Sequence, residues 1–301
     1  MVVPGSPGCA PPPRGPAGDS GREGPYHGHV RVAALQFDVR RADLEANLGE
    51  VERGLREAAD RGIELVVLPE MWPTSFPDAG VDMPAELEAA SRALGRLAEL
   101  AGELELVVCG TAFGFEADVT DRERPPNRLH LLDGGKPLAT YDKVHLFTPT
   151  AEPEVFTAGT QKPPTVPSRS GRLSGLICYD LRFPEITRVP WRDGAQLVCV
   201  PAQWPVARAA HYRALCVGLA VSGQCFVVGA NRTGREVIGR RGLVLDFPGT
   251  SLVVDPHGQL LAEGKGQPGL VTAEVDLAVC AELRRRVPVA KDQRPDLYRR
   301  W

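Results

Sequence analysis

Residues 30–70 read VRVAALQFDVRRADLEANLGEVERGLREAADRGIELVVLPE, and this stretch decides the fold class. Val30 to Phe37 is a strand-like run. Asp43 to Asp60 then sets Leu44, Leu48, Val51, Leu55 and Ala58 at helical spacing, with Asp43 as N-cap. Gly62 breaks the helix, and Glu64 to Leu68 is a short apolar run of the kind a buried strand shows. Strand, helix and strand in succession point to an α/β protein.

The same pattern extends outward. A helix is expected over Pro84 to Ala101 and a strand over Leu104 to Thr111. Strands at Arg128 to Leu132 and Leu138 to Tyr141 flank a turn at Gly134-Gly135. The second half repeats the order: strand Arg172 to Cys178, helix Phe183 to Trp191, strand Gln196 to Pro201, helix Arg208 to Ser222, strand Cys225 to Ala230. Strands near Ser251 to Val254 and Gly269 to Val275 follow, then a helix from Asp276. The halves match in element order and not in residues, so an internal duplication is only suggested. Residues 1–28 hold seven prolines and seven glycines and read as a disordered tail without a signal peptide's apolar core, which implies a cytoplasmic protein. The organisation expected is tail 1–28, domain 29–283 and an arginine-rich C-terminal arm 284–301.

Composition excludes several classes. A net charge of −3 argues against nucleic acid or an anionic membrane as the main partner. Seven cysteines without a C-x-x-C pair argue against a disulfide framework or zinc site; Cys109, Cys199, Cys216 and Cys225 sit in apolar runs as small buried hydrophobes. His27-x-His29 is the one close histidine pair and gives no metal centre. Gly264 to Gly269 satisfies G-x-G-x-x-G but leads into a strand with Pro268 inside it, the wrong setting for a dinucleotide. No cofactor is implied.

Two apolar strands end in a reactive residue: Leu65 to Leu68 leads into Pro69-Glu70, and Leu173 to Ile177 into Cys178. Ligands of α/β sheets sit beyond the carboxyl ends of strands. A carboxylate after four apolar residues is costly to bury without a partner. Lys143 is one of five lysines against thirty arginines, so a compact ammonium is a third candidate.

With these residues in view, Leu68-Pro69-Glu70, Tyr141-Asp142-Lys143-Val144-His145-Leu146-Phe147 and Cys178-Tyr179-Asp180-Leu181-Arg182-Phe183-Pro184-Glu185 resemble the three catalytic signatures of the nitrilase (carbon–nitrogen hydrolase) superfamily, in its order and approximate spacing. The resemblance runs from about Val30 onward and includes Ser251 to Gly258 and Arg294 to Tyr298. It implies a four-layer α–β–β–α sandwich and a homodimer or higher homo-oligomer, over which Arg284 to Trp301 either reaches a partner or packs within the chain. It implies Cys178 as nucleophile, Glu70 as base, and Lys143 with the Tyr179 backbone N–H as oxyanion donors. A supporting glutamate is expected at Glu152, with Glu154 as the fallback. The residues after Cys178 are similar to the omega-amidase branch, which acts on small carboxylate-bearing amides. Arg182 is then either a reader of the substrate carboxylate or part of a structural salt bridge, and Trp204 either lines the pocket or belongs to the core. Two departures are visible: Leu219 to Gln224 lacks the polar cluster of many relatives, and Gln203 stands where asparagine is frequent. Another amidase or carbamoylase of the superfamily, or a non-catalytic relative, would use the same scaffold.

Overall fold

The computed structural model describes residues 28–77, 80–116, 121–238 and 242–298; all but the last residue of the tail expected at 1–28, including His27, and Trp301 lie outside them. In the first half, β1 (His29–Gln36), α1 (Leu44–Asp60), β2 (Leu65–Val67), α2 (Met83–Glu103), β3 (Val107–Phe113), β4 (Asn127–Asp133) and β5 (Lys136–Asp142) follow in order, then a short α3 (Glu152–Val155). The second half runs through β6 (Thr165–Ser168), β7 (Gly171–Gly175), α4 (Pro184–Arg192), β8 (Leu197–Ala202), α5 (Ala209–Gly223) and β9 (Phe226–Asn231). It continues with β10 (Thr233–Ile238), β11 (Leu243–Pro248), β12 (Leu252–Val254), β13 (Leu260–Glu263), β14 (Gly269–Asp276) and α6 (Ala278–Arg286). As the sequence suggests, Asp43 caps α1, its side chain accepting from the Ala46 N–H.

The strands form two six-stranded sheets, ordered β14-β1-β2-β3-β4-β5 and β13-β12-β9-β8-β7-β6, plus a separate ribbon of β10 and β11. Strand periodicity sorts the side chains between layers. Val32, Ala34, Leu65, Val67, Val107 and Cys109 join the cluster that fills the space towards the second sheet. Their neighbours Ala33, Leu35, Val66, Leu68 and Val108 pack with Val51 and Leu55 of α1 and Leu94 and Leu97 of α2. On the far side, Tyr212, Cys216, Leu219 and Ala220 of α5 close over the second sheet. The result is the expected α–β–β–α sandwich. The Gly134-Gly135 turn holds both residues at positive φ (54° and 77°), as a tight two-residue hairpin requires, and Asp133 pairs with Lys136 across it.

Each sheet has the same build. β1, β2 and β3 run parallel, as do β7, β8 and β9, with antiparallel strands on either side. The likeness reaches residues at one place. Pro69-Glu70-Met71-Trp72-Pro73 leaves β2 and Pro201-Ala202-Gln203-Trp204-Pro205 leaves β8, the middle parallel strand of each half. These two exits meet, with the Glu70 N–H 3.4 Å from the Ala202 carbonyl and the Gln203 N–H 3.1 Å from Glu70 Oε2.

Helix α6 runs through the boundary expected at 283/284, and Arg284 donates to the Ala195 and Gly223 carbonyls of its own chain. Gly264 to Pro268 lies between β13 and β14, with Gly269 opening β14, and the Gln36 side chain holds the Lys265 and Gln267 carbonyls. Among the described residues no helix is long and apolar enough to cross a membrane.

Candidate active site

Glu70, Lys143 and Cys178 come from three separate strand exits and converge at one cleft. Glu70 is fully buried just after β2 and is gripped from three sides. Its Oε1 accepts from Lys143 Nζ (2.7 Å) and Asn127 Nδ2 (2.8 Å), and its Oε2 from the Gln203 N–H (3.1 Å). The Gln203 side chain also donates to the Glu70 carbonyl at 2.8 Å, so backbone and carboxylate are both fixed. The loop beyond is tied to β3, whose Thr111 hydroxyl accepts from the Met71 N–H and whose carbonyl accepts from that of Trp72.

Lys143 follows β5 and is wholly buried. Its ammonium also donates to Glu152 Oε2 (2.8 Å) and Oε1 (3.0 Å). Glu152 opens α3, and its Oε2 accepts from the Phe147 N–H at 3.0 Å. Of the two glutamates considered, Glu152 thus meets Lys143, whereas Glu154 is exposed. Burial acts to strip the Lys143 ammonium of its proton, but the Glu152 and Glu70 carboxylates outweigh it and hold its pKa well above the ordinary lysine range. Burial also pushes the Glu152 carboxyl up, against the pull of Lys143.

Cys178 takes φ +43°, a left-handed conformation that a side chain adopts at a cost of roughly 1–2 kcal/mol. It opens a 3₁₀ turn, Cys178–Arg182, directly after Ile177. Asp180 clamps this turn: its N–H donates to the Ile177 carbonyl, while its carboxylate accepts from the Ile177 N–H. The same buried carboxylate accepts from Tyr141 Oη (2.8 Å) and the His145 N–H (3.1 Å), and lies 2.8 Å from His145 Nδ1. Asp180 therefore ties the segment carrying Lys143 to the segment carrying Cys178. Burial, and then the Glu70 carboxylate, push the Cys178 thiol well above its usual pKa, so the resting group at neutral pH is the thiol. The Tyr179 N–H lies in the first turn of the 3₁₀ segment, where main-chain donors lack an intrahelical acceptor.

Glu70, Glu152, Cys178, Tyr179, Arg182, Gln203 and Trp204 all line one cleft of about 430 Å³, counting the part open to solvent. Trp204 is both buried and cleft-lining, so the two readings of it coexist. Arg182 meets no carboxylate among the described residues; it donates to His211 Nδ1 (3.1 Å) and lies 5.1 Å over the Trp204 ring. None of Leu219 to Gln224 lines the cleft; Gln224 instead caps α5 and donates to the Val287 carbonyl.

Several participants escape a sequence reading. Asn127 carries no local signal. The β10–β11 ribbon supplies Ile238, Leu245 and Phe247 as an apolar wall with Phe76. The sequence of its first strand hides this place, because Glu236 is buried and Val237 exposed, the reverse of what their polarity suggests. Arg232, at the ribbon's root, is buried and donates to Gln203 Oε1 (3.1 Å), Asp38 (2.9 Å) and Glu236, which couples the ribbon to the residue that grips Glu70.

The carbon–nitrogen hydrolase family model matches residues 31–285. The 2-oxoglutaramate amidase of Bacillus subtilis (strain 168) is 33% identical over 270 residues, covering 89% of this chain and 98% of that protein. The deaminated glutathione amidase of Homo sapiens is 29% identical, covering 85% of this chain and 80% of that protein. An amidase from Nesterenkonia sp. superposes with a TM-score of 0.78 at 29% identity, over 92% of this chain and 98% of that one; its structure shows covalent addition of the acetamide moiety of fluoroacetamide at the active-site cysteine.

Proposed function

The chain belongs to the carbon–nitrogen hydrolase family, and we propose that it hydrolyses the amide of a small carboxylate-bearing molecule through a thioester on Cys178. The observation that carries this reading is the buried Glu70–Lys143–Glu152 chain at the floor of the cleft that Cys178 lines. A neutral thiol is a poor nucleophile, and Glu70 is the carboxylate held beside it. As Cys178 Sγ attacks the amide carbon, its proton passes to Glu70, and the carbonyl oxygen gains charge. Lys143 donates to one oxygen of Glu70 and to both of Glu152, and by giving up the longer Glu152 bond it turns one N–H towards that oxygen while still paired with both carboxylates. The Tyr179 N–H is the second donor. Glu70 returns the proton to the departing nitrogen, ammonia leaves, and the thioester remains. Water then gives its proton to Glu70 and attacks the thioester, which releases the carboxylic acid and restores the thiol.

Glu152 keeps Lys143 charged and positioned, and Asp180 holds the oxyanion donor and the nucleophile in register. Arg182 reads the carboxylate at the substrate's other end, in keeping with the similarity to a 2-oxoglutaramate amidase, whose named substrate carries such a group.

The test is ammonia release from succinamate, glutamine, a neutral aliphatic amide, an N-carbamoyl amino acid and a nitrile, with Cys178→Ala beside the wild type. Preference for succinamate, abolished in the variant, is expected. Faster turnover of the neutral amide would discard the carboxylate-reading pocket, and silence of the wild type on every compound would refute the amidase reading.

A further inference from the structure

Several buried and half-buried arginines in this protein face acids. Arg128 meets Asp142 and Glu116, Arg232 meets Asp38 and Glu236, and Arg96 meets Glu52. Four half-buried arginines have no acid beside them among the described residues: Arg172 and Arg284 donate to main-chain carbonyls instead, whereas Arg182 and Arg208 line the cleft. Arg182 has only His211 and the Trp204 face. Arg208, half-buried before α5, has its guanidinium carbon 5.3 Å from the centre of the Phe147 ring and no acidic partner among the described residues. Each guanidinium lies over an aromatic face, which helps to hold it in place while leaving N–H groups to donate.

The supports are interlocked. Trp204, which carries Arg182, donates from Nε1 to the Arg208 carbonyl at 2.8 Å. Phe147, which carries Arg208, stands edge-on to Tyr179 and gives its N–H to Glu152. Among the described residues, the cleft's only other charged lining groups are the Glu70 and Glu152 carboxylates, both bound by Lys143. Two positive groups without an acidic partner among the described residues therefore line the same cleft as the apolar side chains of Phe76, Ile238, Leu245 and Phe247, and are available to an anion.

We infer that Arg208 is the second jaw of a carboxylate clamp, closing on the distal carboxylate of the substrate from the side opposite Arg182. This rests on the amidase reading for the identity of the substrate and adds a residue that determines its specificity. A carboxylate has two oxygens, each with room for a donor from a different guanidinium. A methyl group in its place leaves both cations unpaired and partly desolvated, which penalises neutral amides of equal length.

Calorimetric binding to Cys178→Ala protein tests the clamp without turnover, using succinamate and butyramide, which differ by carboxylate against methyl. Adding Arg208→Ala should lower the preference for succinamate by roughly 10- to 100-fold, as expected for one charged hydrogen-bonding partner. Arg208→Lys should retain part of it, and Arg182→Ala should cause a loss of the same order. An unchanged preference in Arg208→Ala alongside a collapse in Arg182→Ala would leave Arg182 as sole reader and overturn the proposal. Equal weakening of both ligands by Arg208→Ala would also overturn it, since that reports loss of support for Phe147. Should the wild type release no ammonia while this preference still tracks Arg208, the amidase reading falls and the clamp stands.

Discussion

Lys143→Met separates the electrostatics of the site from its chemistry. The side chains are close in length, so the substitution removes a charge with little change in shape. It leaves Glu70, fully buried, and Glu152, 4% exposed, without the cation that lies 2.7–2.8 Å from each. Removing one member of a buried ion pair costs about 3–5 kcal/mol, because the partner's charge is left uncompensated. In a chain of this size that is on the order of 10 °C in Tm, at about 2–4 °C per kcal/mol. Catalysis should fall by about 10²- to 10³-fold or more, the effect of losing one oxyanion donor. The double variant Lys143→Met/Glu152→Gln removes the second unpaired charge, leaving Glu70 with its Asn127 and Gln203 donors. It should recover much of the stability and none of the activity. In the single variant a folded-state carboxyl pKa raised above the unfolded value adds stability as pH falls, so its deficit should shrink from pH 7 towards pH 5. Urea unfolding and ammonia release measure both properties. A single variant as stable as wild type, a double variant no more stable than the single, or substantial turnover in either would refute the reasoning.

Two further outcomes follow from buried groups. His130 lies within β4 with Nε2 unpartnered, and burial holds its pKa down at about 4, against an ordinary 6.5. Between those values the unfolded chain binds a proton that the folded chain refuses, so stability should fall with acid by up to about 1.4 kcal/mol per pH unit. His130→Leu should flatten that slope in urea titrations at pH 7 and pH 5; an identical slope would show that His130 does not cause it. Asp180→Asn keeps the size of the residue but replaces one acceptor oxygen with a donor, facing either His145 or the Tyr141 and Ile177 donors. Its kcat should drop about 10- to 100-fold, from loss of hydrogen bonds to a charged group, with KM changed far less; a loss confined to KM would remove Asp180 from its positioning role.

What the sequence made legible follows a physical boundary. Helix α1, its Asp43 cap and the Gly134-Gly135 turn are local, so periodicity and turn chemistry suffice to place them. Glu70 and Cys178 stand out because a reactive side chain ends an apolar strand, and Lys143 because arginine fills most basic positions. Strands β6 and β13 are harder to read, being short edge strands, and β6 carries Pro167, which an edge tolerates. The grip on Glu70 has no local signature at all. Asn127 is 57 residues away and Gln203 is 133, and only the stacking of the sheets brings them together. Gln203 shows the limit plainly: the sequence marks it as a departure from a frequent asparagine, whereas the fold makes it the residue that faces Glu70 at the meeting of two equivalent strand exits. Arg208 is one of thirty arginines, and only the fold brings it to the cleft that Cys178 lines.

The central claim is a covalent acyl group on Cys178, and rapid-quench mass spectrometry with succinamate addresses it most directly. Wild-type protein quenched during turnover should carry one succinyl group, mapped by peptide fragmentation to Cys178 and absent from Cys178→Ala. Ammonia release with no acylated protein at any quench time, or acylation at another residue, would contradict the account.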